Sequence, residues 1–179
     1  MSETGRPTIL PYEIQPAAYR PYDPRAPQVA AIVKDLIEAE MPGVDVEHIG
    51  STAIPGCAGK GVVDMMMLYR PGNLAAARAA VERLGFVRFS APDAFPESRP
   101  VMLGAIEYDR SLFRLHVHII ANDSKEVTEQ RLFRDRLRAD RSLVDAYTAK
   151  KREILKRGIT HGPSYADEKT VFIQRVRQP

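Results

Sequence analysis

The chain has 179 residues, 44% hydrophobic and 27% charged, with 26 Lys+Arg against 23 Asp+Glu for a net charge of +3. This composition excludes a disordered chain and suits one domain with a single core, and so small a basic excess makes a nucleic-acid partner unlooked for. One cysteine (Cys57) excludes an intrachain disulfide, no apolar run reaches the ~20 residues of a membrane span, and MSETGRPTIL carries no signal pattern, so the expectation is a cytoplasmic protein of one domain over residues 1–179, irregular over 1–20.

The elements then follow in chain order. Asp23-Pro24 reads as a helix start, and Val29, Ile32, Val33, Leu36 and Ile37 recur at the helical period until Pro42-Gly43. A short strand spans Val44–Ile49. Gly50–Gly61 holds four Gly and a Pro in twelve residues, so it is a loop. Val62–Tyr69, apolar apart from Asp64, reads as a buried strand. Asn73 caps a helix that Gly85 closes, Phe86–Phe89 is a third strand, and Ala91–Pro100 is an exposed loop. Met102–Tyr108 and Phe113–Ile120 are strands joined by a turn at Asp109-Arg110. Three helices follow: one capped by Ser124, one carrying Leu143 to Leu155 and ended by Gly158, and one opened by a Ser164/Asp167 capping box. The pattern is α+β, a mixed sheet of four to six strands flanked by helices.

Within this frame two places carry chemistry. A strand ends at Gly50-Ser51, where glycine allows a ligand close to the backbone and free N–H groups can hold phosphate oxygens. Asp64 lies in the middle of an apolar strand, where a carboxylate is costly without a metal or a cation. Lys60 shares its strand face by alternation, and either pairs with Asp64 or contacts phosphate. His116 and His118, two apart on one strand, point to one side and with His48 and Asp64 offer a His/Asp cluster. Met65–Met67 reads as core and Cys57 as a bystander. Lys125–Arg157 holds 11 basic and 6 acidic residues, either a solvated face or a wall beside an anion. Arg134, Arg138, Lys151 and Lys169 either form that wall or pair along their helices with Asp135, Asp140 and Glu153. Walker, dinucleotide-fingerprint, Cys-x-x-Cys and nucleophile-elbow motifs are absent.

The string HIGSTAIPGCAGKGVVDMMM from His48 to Met67 resembles the GrpB family, whose members read much like His-Ile-Gly-Ser-Thr-(Ser/Ala)-Val-Pro-Gly-Leu-Ala-Ala-Lys-Pro-Ile-Ile-Asp. The likeness continues in Tyr22-Asp23-Pro24, Leu115–His118, Leu132–Asp140, Tyr147 with Lys151, and Tyr165 with Lys169. It implies a nucleotidyltransferase-like fold. In active members of that superfamily a Gly-Ser loop holds a triphosphate and carboxylates hold divalent metal for in-line displacement. Carried over, Gly50, Ser51, Thr52, Lys60, Arg134 and Lys169 would bind a nucleotide or phosphorylated small molecule. Asp64 and Lys60 would be catalytic, and Asp64, His116, His118 and His48 would hold the metal. The second carboxylate position is Met66, a poor Mg²⁺ ligand, and histidines replace the third. The set therefore suits Mn²⁺ or Zn²⁺ better than Mg²⁺. The implied function is metal-dependent nucleotidyl transfer. The alternatives are a non-catalytic nucleotide-binding module and a transition-metal hydrolase.

Overall fold

Strands β1 (Asp45–Ile49), β2 (Val62–Tyr69), β3 (Val87–Arg88), β4 (Val101–Tyr108) and β5 (Ser111–Ala121) form one sheet in the order β1-β2-β5-β4-β3. This is a computed structural model, and it describes residues 7–90 and 95–178. The start of the expected Ala91–Pro100 loop thus lies outside the described residues, as do residues 1–6 of the expected irregular segment. Only the β2–β5 pairing is parallel; the other neighbours are antiparallel, so the sheet is mixed.

Side-chain alternation divides the sheet into two faces. Val63, Met65 and Met67 of β2 and Leu115, Val117 and Ile119 of β5 pack with α1 (Ala26–Glu40) and α2 (Leu74–Arg83) in the largest core. The opposite face carries Asp64, Met66 and Leu68 of β2 and His116, His118 and Ile120 of β5. The helices α3 (Lys125–Ala139), α4 (Arg141–Lys156) and α5 (Gly162–Arg177) follow the last strand, and Val127 of α3 packs with Met66, Leu68 and Ile120. A second core joins α3, α4 and α5 to the loop through Phe133, Tyr147, Phe172, Ile54 and Cys57.

Three helix starts differ from the sequence reading in detail. Asp23 does not cap α1: its Oδ1 accepts from the backbone N of Arg25 (2.9 Å), which takes the cap position, and Pro27 sits in the first turn. Asn73 occupies the cap of α2 without a side-chain bond. The last helix opens at Gly162 with Pro163 in its first turn, where a missing N–H costs nothing, so Ser164 and Asp167 lie inside it and form no capping box. Ser124 does cap α3, accepting from Glu126 N (3.3 Å).

Residues 7–20 of the expected irregular segment form no helix or strand and run as a strap held at two points. Leu10 exchanges two backbone hydrogen bonds with Ala105 (2.7 and 2.9 Å), covering the β4 edge beyond the two-residue β3. Arg20 exchanges two more with Gly59 (2.8 and 3.0 Å). Between these anchors the strap carries Tyr12 onto His116. Its first anchor depends on Ile9 lying over Gly104, where a Cβ would stand 2.7 Å from Ile9 Cγ2 and 2.8 Å from Phe86 Cδ1. Gly104→Ala is therefore expected to cost about 1–3 kcal/mol by overpacking. Urea unfolding would show a lower midpoint at unchanged slope, and a midpoint equal to wild type would refute this packing.

Candidate functional site

The parallel register sets Asp64 opposite His116 and Met66 opposite His118. Asp64, His116 and His118 share a face, and each turns one ligand atom toward the others, all within 4.8 Å. Asp64 Oδ1 lies 3.3 Å from both His116 Nδ1 and His118 Nε2. The outer ring nitrogens are also engaged. Tyr12 Oη is 2.9 Å from His116 Nε2, and Arg99 Nη1 is 3.0 Å from His118 Nδ1. Arg99 is itself held by Glu126, whose two carboxylate oxygens accept from its Nε at 3.0 and 2.8 Å. Burial alone would raise the Asp64 carboxyl, but the hydrogen bonds and fields of the two imidazoles outweigh it and hold the group well below 3.8. Burial pushes His118 below its ordinary value, and the nearby Arg99 charge acts in the same sense.

Two histidines and one carboxylate suit a divalent transition ion better than Mg²⁺. The two 3.3 Å contacts, hydrogen bonds whenever the facing ring nitrogen carries a proton, are longer than the about 2.7–2.9 Å typical of charge-assisted pairs. They match the edge of about 3.3 Å in a tetrahedron with bonds near 2.0–2.1 Å. Donor type and these two spacings are compatible with a metal, and the facing nitrogens of His116 and His118 lie within 4.8 Å of each other. Met66 contributes no donor: it is fully buried with Ile49, Leu68, Ile120 and Val127.

The Gly-Ser turn sits directly on this cluster. Gly50 has φ 71° and ψ −172°, a conformation open essentially to glycine alone. A Cβ there would stand 2.5 Å from Asp64 Oδ2. Ser51 begins a 3₁₀ turn over Ser51–Ala53, and its Oγ accepts from Lys151 Nζ (3.2 Å). Lys151 also donates to Cys57 Sγ (3.2 Å) and to the Ala58 carbonyl, so all three ammonium protons hold the loop to α4. Burial lowers the Lys151 pKa.

A cavity of about 350 Å³ opens between this loop and the C-terminal helices; Gly50, Ser51, Lys60, Asp64, His118 and Lys169 are among its walls. The Lys60 and Lys169 ammoniums both lie by the Tyr165 ring, 5.9 and 4.7 Å from its centroid, and neither has an ion-pair partner among the described residues. Burial first, and the charge of Lys60 second, push Lys169 down to about 8.

Several sequence expectations are placed elsewhere. Strand β2 starts at Val62, after Lys60, and the described ion pairs of Asp64 are with His116 and His118, so Lys60 does not pair with it. His48 does not join the cluster. It pairs with Met65 across β1–β2, and that register turns it to the face opposite Asp64. Its Nε2 meets Thr52 Oγ1 (2.9 Å), and that hydroxyl donates to the Val62 carbonyl (3.1 Å), so Thr52 faces no ligand space. Arg134 also turns away: it binds Glu47, Asp135 and the His48 carbonyl. Arg138 donates to the Ala53 carbonyl (2.8 Å). The basic excess of the C-terminal helices is therefore mostly structural, and two of the three cavity lysines lie outside the segment that holds it. Tyr12, Arg99 and Glu126 carry no local sequence signal of their roles, because nothing near them in the chain marks their contacts with residues 104, 19 and 27 positions away.

The mixed sheet flanked by helices, with its Gly-Ser turn packed on a strand carboxylate, defines a nucleotidyltransferase-like fold. Solved structures share this fold. Cid1 in complex with its short product ApU superposes with a TM-score of 0.52 at 12% identity, over 75% of this chain and 42% of that one. The GLD-2/RNP-8 complex gives 0.54 at 13% identity, over 82% and 57%. Within the class, a family model described as GrpB protein matches residues 16–178, and the chain belongs to the GrpB family. The GrpB crystal structure from Enterococcus faecalis matches with a TM-score of 0.71 at 20% identity, over 89% of this chain and 94% of that one. In sequence the chain is 28% identical to UPF0157 protein BH1888 of Halalkalibacterium halodurans, over 87% of this chain and 77% of that protein. It is 32% identical to UPF0157 protein VC_A0354 of Vibrio cholerae, over 78% and 69%.

Two outcomes follow from this geometry. Gly50→Ala is expected to destabilise the fold by at least about 1–3 kcal/mol in chemical denaturation, from backbone strain with the Asp64 clash added. Wild-type stability would contradict the close approach. Separately, burial holds His48 down to about 4 from 6.5. The unfolded chain then binds the extra proton between those values, so the contribution of His48 is complete above about pH 6.5 and lost as pH falls toward 4. His48→Gln should flatten this part of the stability curve by up to about 3 kcal/mol. Parallel wild-type and variant curves would exclude the buried neutral imidazole.

Proposed function

We propose that the cavity binds a nucleotide or similar phosphorylated ligand, and that the protein transfers a nucleotidyl group with a divalent transition metal held by Asp64, His116 and His118. The observation that carries this reading is the convergence of Lys60 and Lys169, without carboxylate partners among the described residues, on the space beside Gly50, Ser51 and Asp64. Both ammoniums line one partly desolvated space and the charge of Lys60 acts against that of Lys169, so an anion bound there would relieve the repulsion. Ser51 faces the same space, fixed by Lys151, and can orient a phosphate oxygen. Tyr147 of α4 and Tyr165 and Ile173 of α5 wall the space on that side. A bound divalent ion would polarise a phosphoryl oxygen and stabilise charge developing there. Asp64, kept ionised by its imidazole neighbours, supplies the negative charge that such an ion requires. The fold shared with Cid1, a protein whose solved complex holds ApU, supports nucleotidyl transfer at the level of class.

The buried Met66 favours a second reading, a nucleotide-binding module without turnover, since the second carboxylate of the superfamily pattern is replaced by core. Calorimetry with a non-hydrolysable nucleoside triphosphate, with and without Mn²⁺, separates the two. Lys169→Ala and Lys60→Ala are each expected to weaken binding by about tenfold or more, an ordinary charge-assisted contact. Asp64→Asn should abolish any enhancement by Mn²⁺. Lysine variants that bind as well as wild type would sink the cavity assignment. Metal-indifferent binding by both wild type and Asp64→Asn, with no label transfer from nucleoside triphosphates to any acceptor tried, would favour the module.

A further inference from the structure

We propose that Arg99 is a positioning residue that selects the tautomer of His118, turning a proton rather than a lone pair toward Asp64, and so opposes metal loading of the cluster. The tautomer half stands on the hydrogen bonds alone; the metal half rests on the reading above.

A guanidinium has five N–H donors and no acceptor. With Arg99 Nη1 3.0 Å from His118 Nδ1, that ring nitrogen must offer its lone pair. A neutral imidazole carries one proton, which is then on Nε2, the nitrogen that faces Asp64 Oδ1 at 3.3 Å. Metal binding through Nε2 requires the opposite arrangement. A ligating histidine has its lone pair at the metal and gives its other N–H to a carboxylate, carbonyl or water. Arg99 offers a donor where that second shell needs an acceptor, and its charge adds repulsion toward a cation.

The position of Arg99 is built into the fold. It lies two residues before Val101, which pairs with His118 across β4–β5, and Ile119 N donates to the intervening Pro100 carbonyl (3.0 Å). Glu126 of α3 takes its Nε and Nη2, and its guanidinium carbon sits 4.6 Å from the centroid of Phe95. Loading the site therefore requires Arg99 to leave Nδ1 against these restraints.

Two-bond ¹H–¹⁵N correlation spectra of the metal-free protein, with the His118 signals assigned by their loss in His118→Ala, read the tautomer directly. The expected result is the Nε2–H form in wild type and in Arg99→Lys, which remains a pure donor. Arg99→Gln supplies an amide oxygen that can accept from Nδ1–H. It should shift His118 toward the Nδ1–H form and tighten Co²⁺ binding, followed by absorption, by about 10–100-fold, the range of second-shell effects. Arg99→Gln combined with Glu126→Gln avoids leaving a half-buried carboxylate unpaired and should behave alike if the single variant folds poorly. An Nδ1–H tautomer in wild type overturns the proposal, as does Co²⁺ affinity unchanged in both Gln variants. Co²⁺ binding that ignores Asp64→Asn and His116→Ala overturns the metal reading and the metal half with it, while the tautomer half is decided by the spectra.

Discussion

A carboxylate in the middle of an apolar strand is the constraint on which this structure turns. Asp64 has Val63 and Met65 on either side in the chain, and an isolated charge there would be costly. Parallel pairing of β2 with β5 supplies two imidazoles on the same face, and both lie at 3.3 Å. Those imidazoles are held in turn: Tyr12 at His116, Arg99 at His118, and Glu126 behind Arg99. The result is a continuous polar row across the sheet, from the N-terminal strap to the first turn of α3. Gly50 completes it by letting the backbone approach Asp64 at a distance that no side chain would permit.

The cationic side of the site follows a different logic. Among the arginines of α3, Arg131 and Arg134 are bound to Glu47 of β1 and Arg138 to a loop carbonyl, so they fasten the helix to the sheet. The lysines behave otherwise. Lys151, 2% exposed, holds the Gly-Ser loop with all its protons, and Lys60 and Lys169 face the cavity beside Tyr165. An ammonium is a compact point charge whose burial shifts its pKa, whereas a guanidinium keeps its charge and makes several directed bonds. Here Arg131, Arg134 and Arg138 tie elements together, Lys151 ties the loop to α4, and Lys60 and Lys169 line the cavity.

Much of this was legible from residue order. The alternation of Leu115-His-Val-His118 states that both imidazoles share a face, and the Gly-rich composition of 50–61 states that periodic structure stops beside them. A Gly-Ser turn followed by a strand aspartate is a local pattern, so it survives reading in one dimension. His48 shows the limit. It abuts the Gly-Ser turn in sequence, yet the β1–β2 register sends it to the face opposite Asp64. One residue of parity reverses a side chain, and parity relative to a partner strand is a property of pairing.

By itself the sequence determined the mixed α+β pattern, the two-residue spacing of the histidines, the anomalous aspartate and the glycine that must precede Ser51, because each is set by neighbours a few positions apart. The tertiary structure alone decided which groups complete the site. Tyr12 reaches His116 across 104 positions, Lys151 reaches Ser51 across 100, and Arg99 meets His118 through a strand pairing. It also decided that Arg134 and Thr52 are committed to structure and that Lys60 and Lys169 line one cavity beside Tyr165. The physical reason is that charge and hydrogen-bond partners act over a few ångströms in space, and only the folded sheet and its helices set those distances.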